Sequence, residues 1–436
     1  MATRVRPPFL LRELKALRRQ PCSIKAQRQL VKLRGKSEHP RCNSDGHEKR
    51  KEKHPHAIAC RLRNKVLPSP SLKTSTVEYL EKRIAPATIV GNSAIGSGGG
   101  LYLSPDGRDI SVIKSTITGN TAGGSGGGIR MSSGGLLLKG GVLSGNTAGS
   151  GGGIYVQVLP GITSTITGTK ILNNTATVSN GGGIQFDGSG SATATFNVLK
   201  STLTGNSATI HGGGIAADNG GKLNLTGATL FANEATTRGG GVYTDGTAAQ
   251  TVVLAITGSI FTDNTAARGG GIFTSGDGAV TLAKTKLITN HATSSFGGGA
   301  YLRSTNLITI TSSLLTKNSA DGSGGGAYVI SDSSIILTGS SLTDNVSGFN
   351  GGGALLNSAS TTITKTLVRG NNAVVSGGGL ALALVNTTTT IVKSTITGNI
   401  ARVSSGGIHS FFGTITVDTA TKLLGNVAAG SPDKNF

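Results

Sequence analysis

From residue 87 onward the chain repeats one pattern: an apolar residue, two variable residues, then Asn. The asparagines are Asn92, Asn120, Asn146, Asn174, Asn206, Asn233, Asn264, Asn290, Asn318, Asn345, Asn371, Asn399 and Asn426, spaced 26 to 32 residues apart. Five to seven residues after each, except the last two, stands Gly-Gly-Gly, from Gly98–Gly100 to Gly377–Gly379. The twelfth block is degenerate, Ser405-Gly406-Gly407, and the thirteenth unit has none. A unit of about 27 residues cannot bury its apolar side alone, but stacked on its own copies it buries a continuous column.

Within each unit the alternation is that of a strand. Three residues before the Asn stand apolar residues, such as Ile117, Leu203, Phe261 and Ile396. Five before it stand small ones, such as Ser115, Ala228, Ser313 and Thr366. These two positions share a packed face. Positions two and four before the Asn vary widely and face solvent. Gly-Asn pairs supply a tight corner, and the Gly block supplies a second bend. A second strand then starts on an apolar residue, such as Ile154 or Val242, and a third precedes the next Asn strand. The expected fold is all-β: a parallel β-helix of about 13 coils, with Asn stacked on Asn along one edge and Ser and Thr along the inner corner. Twelve steps of about 4.8 Å give a length of about 58 Å.

Composition divides the chain near Pro86. Residues 1–86 hold 22 Lys+Arg against seven Asp+Glu, eight of the 11 Pro, and Cys22, Cys42 and Cys60. The rest holds 67 of the 69 Gly and no Cys, so disulfides do not hold the repeats together. The leader reads as basic and mostly disordered, with short amphipathic helices possible over 9–33. It lacks the apolar stretch of a signal peptide. It is the one segment suited to nucleic acid or an anionic membrane. Domain boundaries fall at 1–86 (leader), 87–430 (repeats) and 431–436 (tail). No apolar run approaches 18 residues, so no transmembrane helix is expected.

The paired signatures, Gly-Gly-Gly-Ile as at Gly126–Ile129 and Ile-x-x-Asn as at Ile117–Asn120, with Gly-Gly-Gly-Ala at Gly297–Ala300, resemble the passenger repeats of chlamydial polymorphic outer-membrane proteins. The resemblance covers residues 87–430. It implies a right-handed β-helix that is secreted and adhesive. The C-terminal barrel of that family is not found before Phe436, which puts autotransport in doubt. A shorter resemblance, Leu80-Glu81-Lys82-Arg83, is similar to the Leu-Glu-Pro-Arg motif of planctomycete extracellular proteins, with Lys in place of Pro. It implies export from a bacterium.

Three features rise above the repeat. Tyr102, Tyr155, Tyr243, Phe273, Tyr301 and Tyr328 all stand second after a Gly block, where alternation puts them outside. Exposed rings there suit stacking on sugar faces or packing on a protein; alternatively they form a ladder that supports the sheet. Asp187, Asp218 and Asp245 recur in three successive coils, about 5 Å apart. They read as turn residues ending a strand, as sharers of a calcium ion, or as a catalytic pair. The Gly block is not a phosphate loop, since no Lys-Ser/Thr follows it. His211, His291 and His409 fall in coils too distant to share a metal.

The function that follows is binding: an extracellular or cell-surface β-helix, adhesin-like or structural, engaging glycan or a surface protein through its long face. No cofactor is required, calcium apart. The alternative is a polysaccharide lyase or glycoside hydrolase. Coils of such even length offer no loops to wall a cleft, and the repeats hold one Glu, Glu234. A second alternative is ice binding on Thr-x-Thr rows such as Thr116-Ile117-Thr118, which Leu172, Phe231, Ile288 and Arg369 interrupt.

Overall fold

The computed structural model describes residues 83–429 except 85 and 106, and for 384–387 only the backbone. The expectations for the leader, its three Cys and the tail at 431–436 therefore lie outside the described residues, apart from the last few before Ala87.

Every regular element among the described residues is a strand. A middle coil shows the unit. Thr229–Phe231 is the Asn strand, Glu234–Ala235 a two-residue strand after the corner, Val242–Asp245 the strand after the Gly block, and Val252–Thr257 the strand that returns. Each lies parallel to its copy in the next coil, as Leu230 opposite Phe261 and Tyr243 opposite Phe273. The Asn strands build one sheet of 13 strands and the two-residue strands another of 13. The remaining strands build a sheet of 21, called the first sheet below; the Asn-strand sheet is the second. In the last coils the two strands of the first sheet fuse, as in Ala327–Thr338 and Leu380–Val392. The expected parallel solenoid of about 13 coils is thus the fold.

Two details differ from the sequence reading. The residues just after the Asn form a strand ladder, not merely a corner. Their recurring Ala, such as Ala148, Ala266 and Ala373, is buried, and Ser347 in the same place is buried too. Pairing also begins ahead of Ala87, because Arg83–Ile84 lies beside Ser111 and Val112.

The core is one column of apolar side chains. The residues three before each Asn stack along it, together with Ile154, Val156, Leu254 and their copies. Phe186 and Phe196 stack inside it, ring centroids 5.3 Å apart. Beside this column runs the Asn ladder. Asn233 Nδ2 donates to Asn264 Oδ1 at 2.9 Å, the Asn233 backbone amide donates to the same oxygen at 3.0 Å, and Asn264 Nδ2 donates to Leu230 O. The pattern repeats from Asn92 to Asn426. A second ladder follows the small residues: the Thr285 amide donates to Ser313 Oγ and the Ser313 amide to Ser340 Oγ, both at 3.1 Å. Where the next coil offers a hydroxyl, the inner-corner amide is thereby satisfied.

The Gly block is a backbone ladder. The Gly99 amide donates to Gly126 O at 3.1 Å and Gly100 to Gly127 O at 3.0 Å. A Cβ on Gly99 would lie 2.5 Å from the carbonyl oxygens of both Gly127 and Thr121. Gly98, at φ +72°, makes the bend that brings the coils this close.

Candidate functional site on the outer face of the first sheet

The second residue after each Gly block points away from the core, so these residues form one outward column. From coil to coil it reads Tyr102, Arg130, Tyr155, Gln185, Ala216, Tyr243, Phe273, Tyr301, Tyr328, Leu355. The sequence expectation places all six aromatics correctly in this column but not their exposure. Tyr243 and Phe273 are 4% and 3% exposed, and Tyr301 packs against them. Parallel register holds the rings at strand spacing, so they stack face to face. The centroids are 5.6 Å apart for Tyr243–Phe273, 4.7 Å for Phe273–Tyr301 and 5.3 Å for Tyr301–Tyr328.

Residues that precede a Gly block add to the stack. Coil five carries the small Ala216 in the column, and His211 covers the Tyr243 ring at 4.3 Å. Phe296, from the same coil as Tyr301, also stacks on Tyr328, at 4.7 Å. The Arg238 guanidinium sits 5.1 Å from the Phe273 centroid. Phe273 and Tyr301 therefore have both faces occupied by neighbouring rings and Tyr243 lies between His211 and Phe273, while Tyr328 lines the space beyond the stack. For Tyr243, Phe273 and Tyr301 this is the supporting ladder that the sequence also allows, not an open platform. Tyr155 is half-buried, with the Arg130 guanidinium 3.9 Å over its ring. Tyr102 has no ring stacked on it among the described residues.

The carboxylates each end a strand, as the turn reading expects. Asp187 and Asp218 are register neighbours. Each turns to its own partners. Asp187 Oδ2 accepts from Tyr155 Oη at 2.9 Å and Oδ1 from the Ser189 amide at 2.8 Å. Asp218 Oδ2 accepts from Gln185 Nε2 at 2.9 Å and Asn180 Nδ2 at 3.5 Å. Asp245 Oδ2 accepts from Tyr243 Oη at 2.9 Å and Oδ1 from the Gly246 amide at 3.0 Å. Among the described residues no three acidic, His or Cys side chains converge as a metal-holding group, and the three Asp bond to separate partners.

Burial sets the charges of this cluster. It pushes the Asp218 carboxyl up to about 6, with Asp187 adding to the rise and the Gln185 hydrogen bond opposing it. It pushes the Tyr155 phenol up to about 12, with Asp187 beside it. The Tyr243 phenol rises for the same reasons, burial and then Asp245. His211 falls to about 4 through burial and the Arg238 charge. It is therefore a neutral ring at pH 7, and its Nδ1 bonds the Thr237 hydroxyl.

One part of this face is not read from the sequence. Past Tyr328 the column opens into a groove of about 450 Å³. Phe296, Phe349, Leu355, Phe411 and Phe412 line it. Phe349, Phe411 and Phe412 are among the exposed large apolar residues. The signal was present: Phe411-Phe412 breaks strand alternation, Phe296 stands directly before a Gly block, where polar residues are usual, and Phe349 stands two places before the next but one.

No curated protein and no solved structure matches this chain. No helix among the described residues is long and apolar enough to cross a membrane. Residues 182–350 match the family model described as a right handed beta helix region, and with thirteen strands stacked in parallel the chain is a right-handed β-helix repeat protein.

Proposed function

We propose that this protein is an adhesin-like β-helix of the cell exterior, and that it binds a protein partner along the outer face of its first sheet. The observation that carries this reading is the apolar groove beyond Tyr328, continuous with the stacked rings and lined by exposed Phe349, Phe411 and Phe412. Exposed apolar surface of this kind is a mark of protein contact. Sugar stacking needs an open ring face, and Tyr243, Phe273 and Tyr301 have lost both to their neighbours. A flat, evenly coiled face without cleft walls favours binding over turnover.

The test compares the full chain with its Phe349→Ser/Phe412→Ser variant in attachment to a panel of cell surfaces, beside a glycan array. The reading requires attachment that protease treatment of the cells abolishes and the double variant loses. Attachment that survives protease and shows matching hits on the array would replace the protein partner by a glycan. Attachment unchanged in the variant would remove the groove from the account.

A second reading rests on one observation. Asp187 and Asp218 are register neighbours, and burial raises Asp218 into the range of a general acid. A neighbouring carboxylate pair with one raised acid is a pattern of glycoside hydrolysis. Product release from a polysaccharide panel, abolished by Asp218→Asn, would support it. Both carboxylates are committed to intramolecular hydrogen bonds, which is why binding ranks first.

A further inference from the structure

The second sheet carries a separate feature at the corner where the chain enters each Asn strand. The four residues from seven to four places before each Asn hold nine lysines in the thirteen coils and no Asp or Glu. They are Lys114, Lys139, Lys170, Lys200, Lys284, Lys286, Lys365, Lys393 and Lys422. All nine are exposed. Among the described residues the one salt-bridge contact joins His291 and Asp321, so none of these lysines is in a salt bridge, and of the nine Lys393 has the Asp418 carboxylate nearby.

The backbone adds a second argument. Lys114, Lys200, Lys284, Lys365 and Lys393 occupy the corner residue, six before the Asn, at φ between 46° and 52°. Gly140, Gly168, Gly227, Gly258 and Gly339 fill the same place in other coils. A left-handed backbone favours Gly there, and a lysine adopts it at a cost. Five coils accept that cost and gain a charge aimed along the edge. Ideal Cβ positions on Gly140 and Gly227 lie 3.5 and 3.6 Å from Lys114 Cγ and Lys200 Cγ, so these side chains run toward the next coil.

We infer that this edge binds a linear anionic polysaccharide laid along the solenoid, its carboxylate or sulfate groups on the lysines. The neighbouring outward positions of the second sheet carry hydroxyls in about half of the coils, linked across coils as Thr118 to Ser144 at 3.1 Å and Thr343 to Thr316 at 2.9 Å and interrupted by apolar residues such as Leu172 and Phe231. Hydroxyls beside cations suit a charged sugar chain. A single-stranded nucleic acid would need stacking platforms, and no aromatic residue stands in the four corner positions. Asp418 lies one place outside them and accepts the Lys393 backbone amide at 3.0 Å, which bounds the basic edge near its end. The site is distinct from the first-sheet face and does not depend on the partner proposed there.

The test uses the full chain and a variant in which Lys114, Lys200, Lys284, Lys365 and Lys393 are all changed to Gly, the residue already found at this corner. The probes are a polyuronate, a sulfated polysaccharide, a neutral dextran and duplex DNA. The full chain is expected to bind the two anionic polysaccharides and not dextran. The variant, with an unchanged circular-dichroism spectrum, should bind them about tenfold or more weakly, with a salt slope smaller by roughly 0.7–0.9 per lysine removed. Equal binding by both proteins, or dextran bound as well as polyuronate, would overturn the assignment. So would a loss confined to DNA. The Phe349→Ser/Phe412→Ser variant should retain polyuronate binding, which separates failure here from failure of the first-sheet reading.

Discussion

Asn264 Oδ1 accepts two hydrogen bonds from Asn233, one from its side-chain amide and one from its backbone amide, while Asn264 Nδ2 caps Leu230 O. One side chain thus satisfies three backbone or amide groups in a corner where Asn233 and Asn264 are essentially inaccessible to water. Asn264→Ala should strip the Asn233 backbone amide of its acceptor, remove one of the two bonds of Asn233 Nδ2 and one donor each from Leu230 O and Asn290 Oδ1, a loss of roughly 3–5 kcal/mol. Asn92→Ala, at the first rung, removes an amide that only donates to Asn120 and should cost much less. Urea unfolding of the two variants, with limited proteolysis to locate local opening, checks the difference.

The Gly block makes a sharper contrast. Gly99→Ala would place its methyl 2.5 Å from two carbonyl oxygens of the next coil, whereas Gly91→Ala meets nothing within 4 Å. Gly91 does lie at φ +64°, so its substitution carries only the left-handed backbone cost of about 1–2 kcal/mol. The expected order of melting temperatures is wild type, then Gly91→Ala, then Gly99→Ala well below.

The stacked rings behave as core although they lie on the outer face. Phe273→Ala should cost about 3–5 kcal/mol, because the ring is 3% exposed and covered on both sides. Tyr102→Ala should be nearly neutral. A double-mutant cycle between Phe273 and Tyr301 should return a coupling of about 0.5–1.5 kcal/mol. A coupling of zero would mean that the rings merely share a column.

These variants also show which parts of the molecule are legible in sequence. The Asn ladder and the apolar column repeat at fixed offsets, so Asn264 and Phe261 announce their places. The Glu234–Ala235 strand is too short to show alternation, so nothing local separates it from a turn. The burial of Tyr243 depends on Ala216 in the coil before and on His211 reaching across from a different column. No property of the Tyr243 position itself encodes that cover. The lysine edge is hidden for a related reason: Lys and Gly interchange at one left-handed corner, and a reading by hydrophobic alternation passes over it. The paired Asp were visible, but their separate commitments to Tyr155, Gln185 and Tyr243 were not.

The pH dependence of stability tests the buried cluster. Asp218 rises in the folded state from 3.8 to about 6. A raised acid favours the folded state when protonated, so its contribution is full below pH 3.8 and lost as pH rises through 6. His211 moves the other way, from 6.5 to about 4. Its contribution is present above pH 6.5 and lost as pH falls toward 4. Between pH 4 and 6.5 the two oppose each other, so the wild-type melting temperature should change little across that window. Asp218→Asn removes the cost of a buried charge at neutral pH while keeping an oxygen for Gln185. It should melt higher than wild type at pH 7 and lose stability steeply on acidification. His211→Gln should do the reverse, gaining relative stability as pH falls below 6. Melting curves at half-unit pH steps resolve the three profiles. If Asp218→Asn melts lower than wild type at pH 7, the carboxylate is held ionised by partners stronger than Gln185 and Asn180, and the glycosidase reading loses its acid as well.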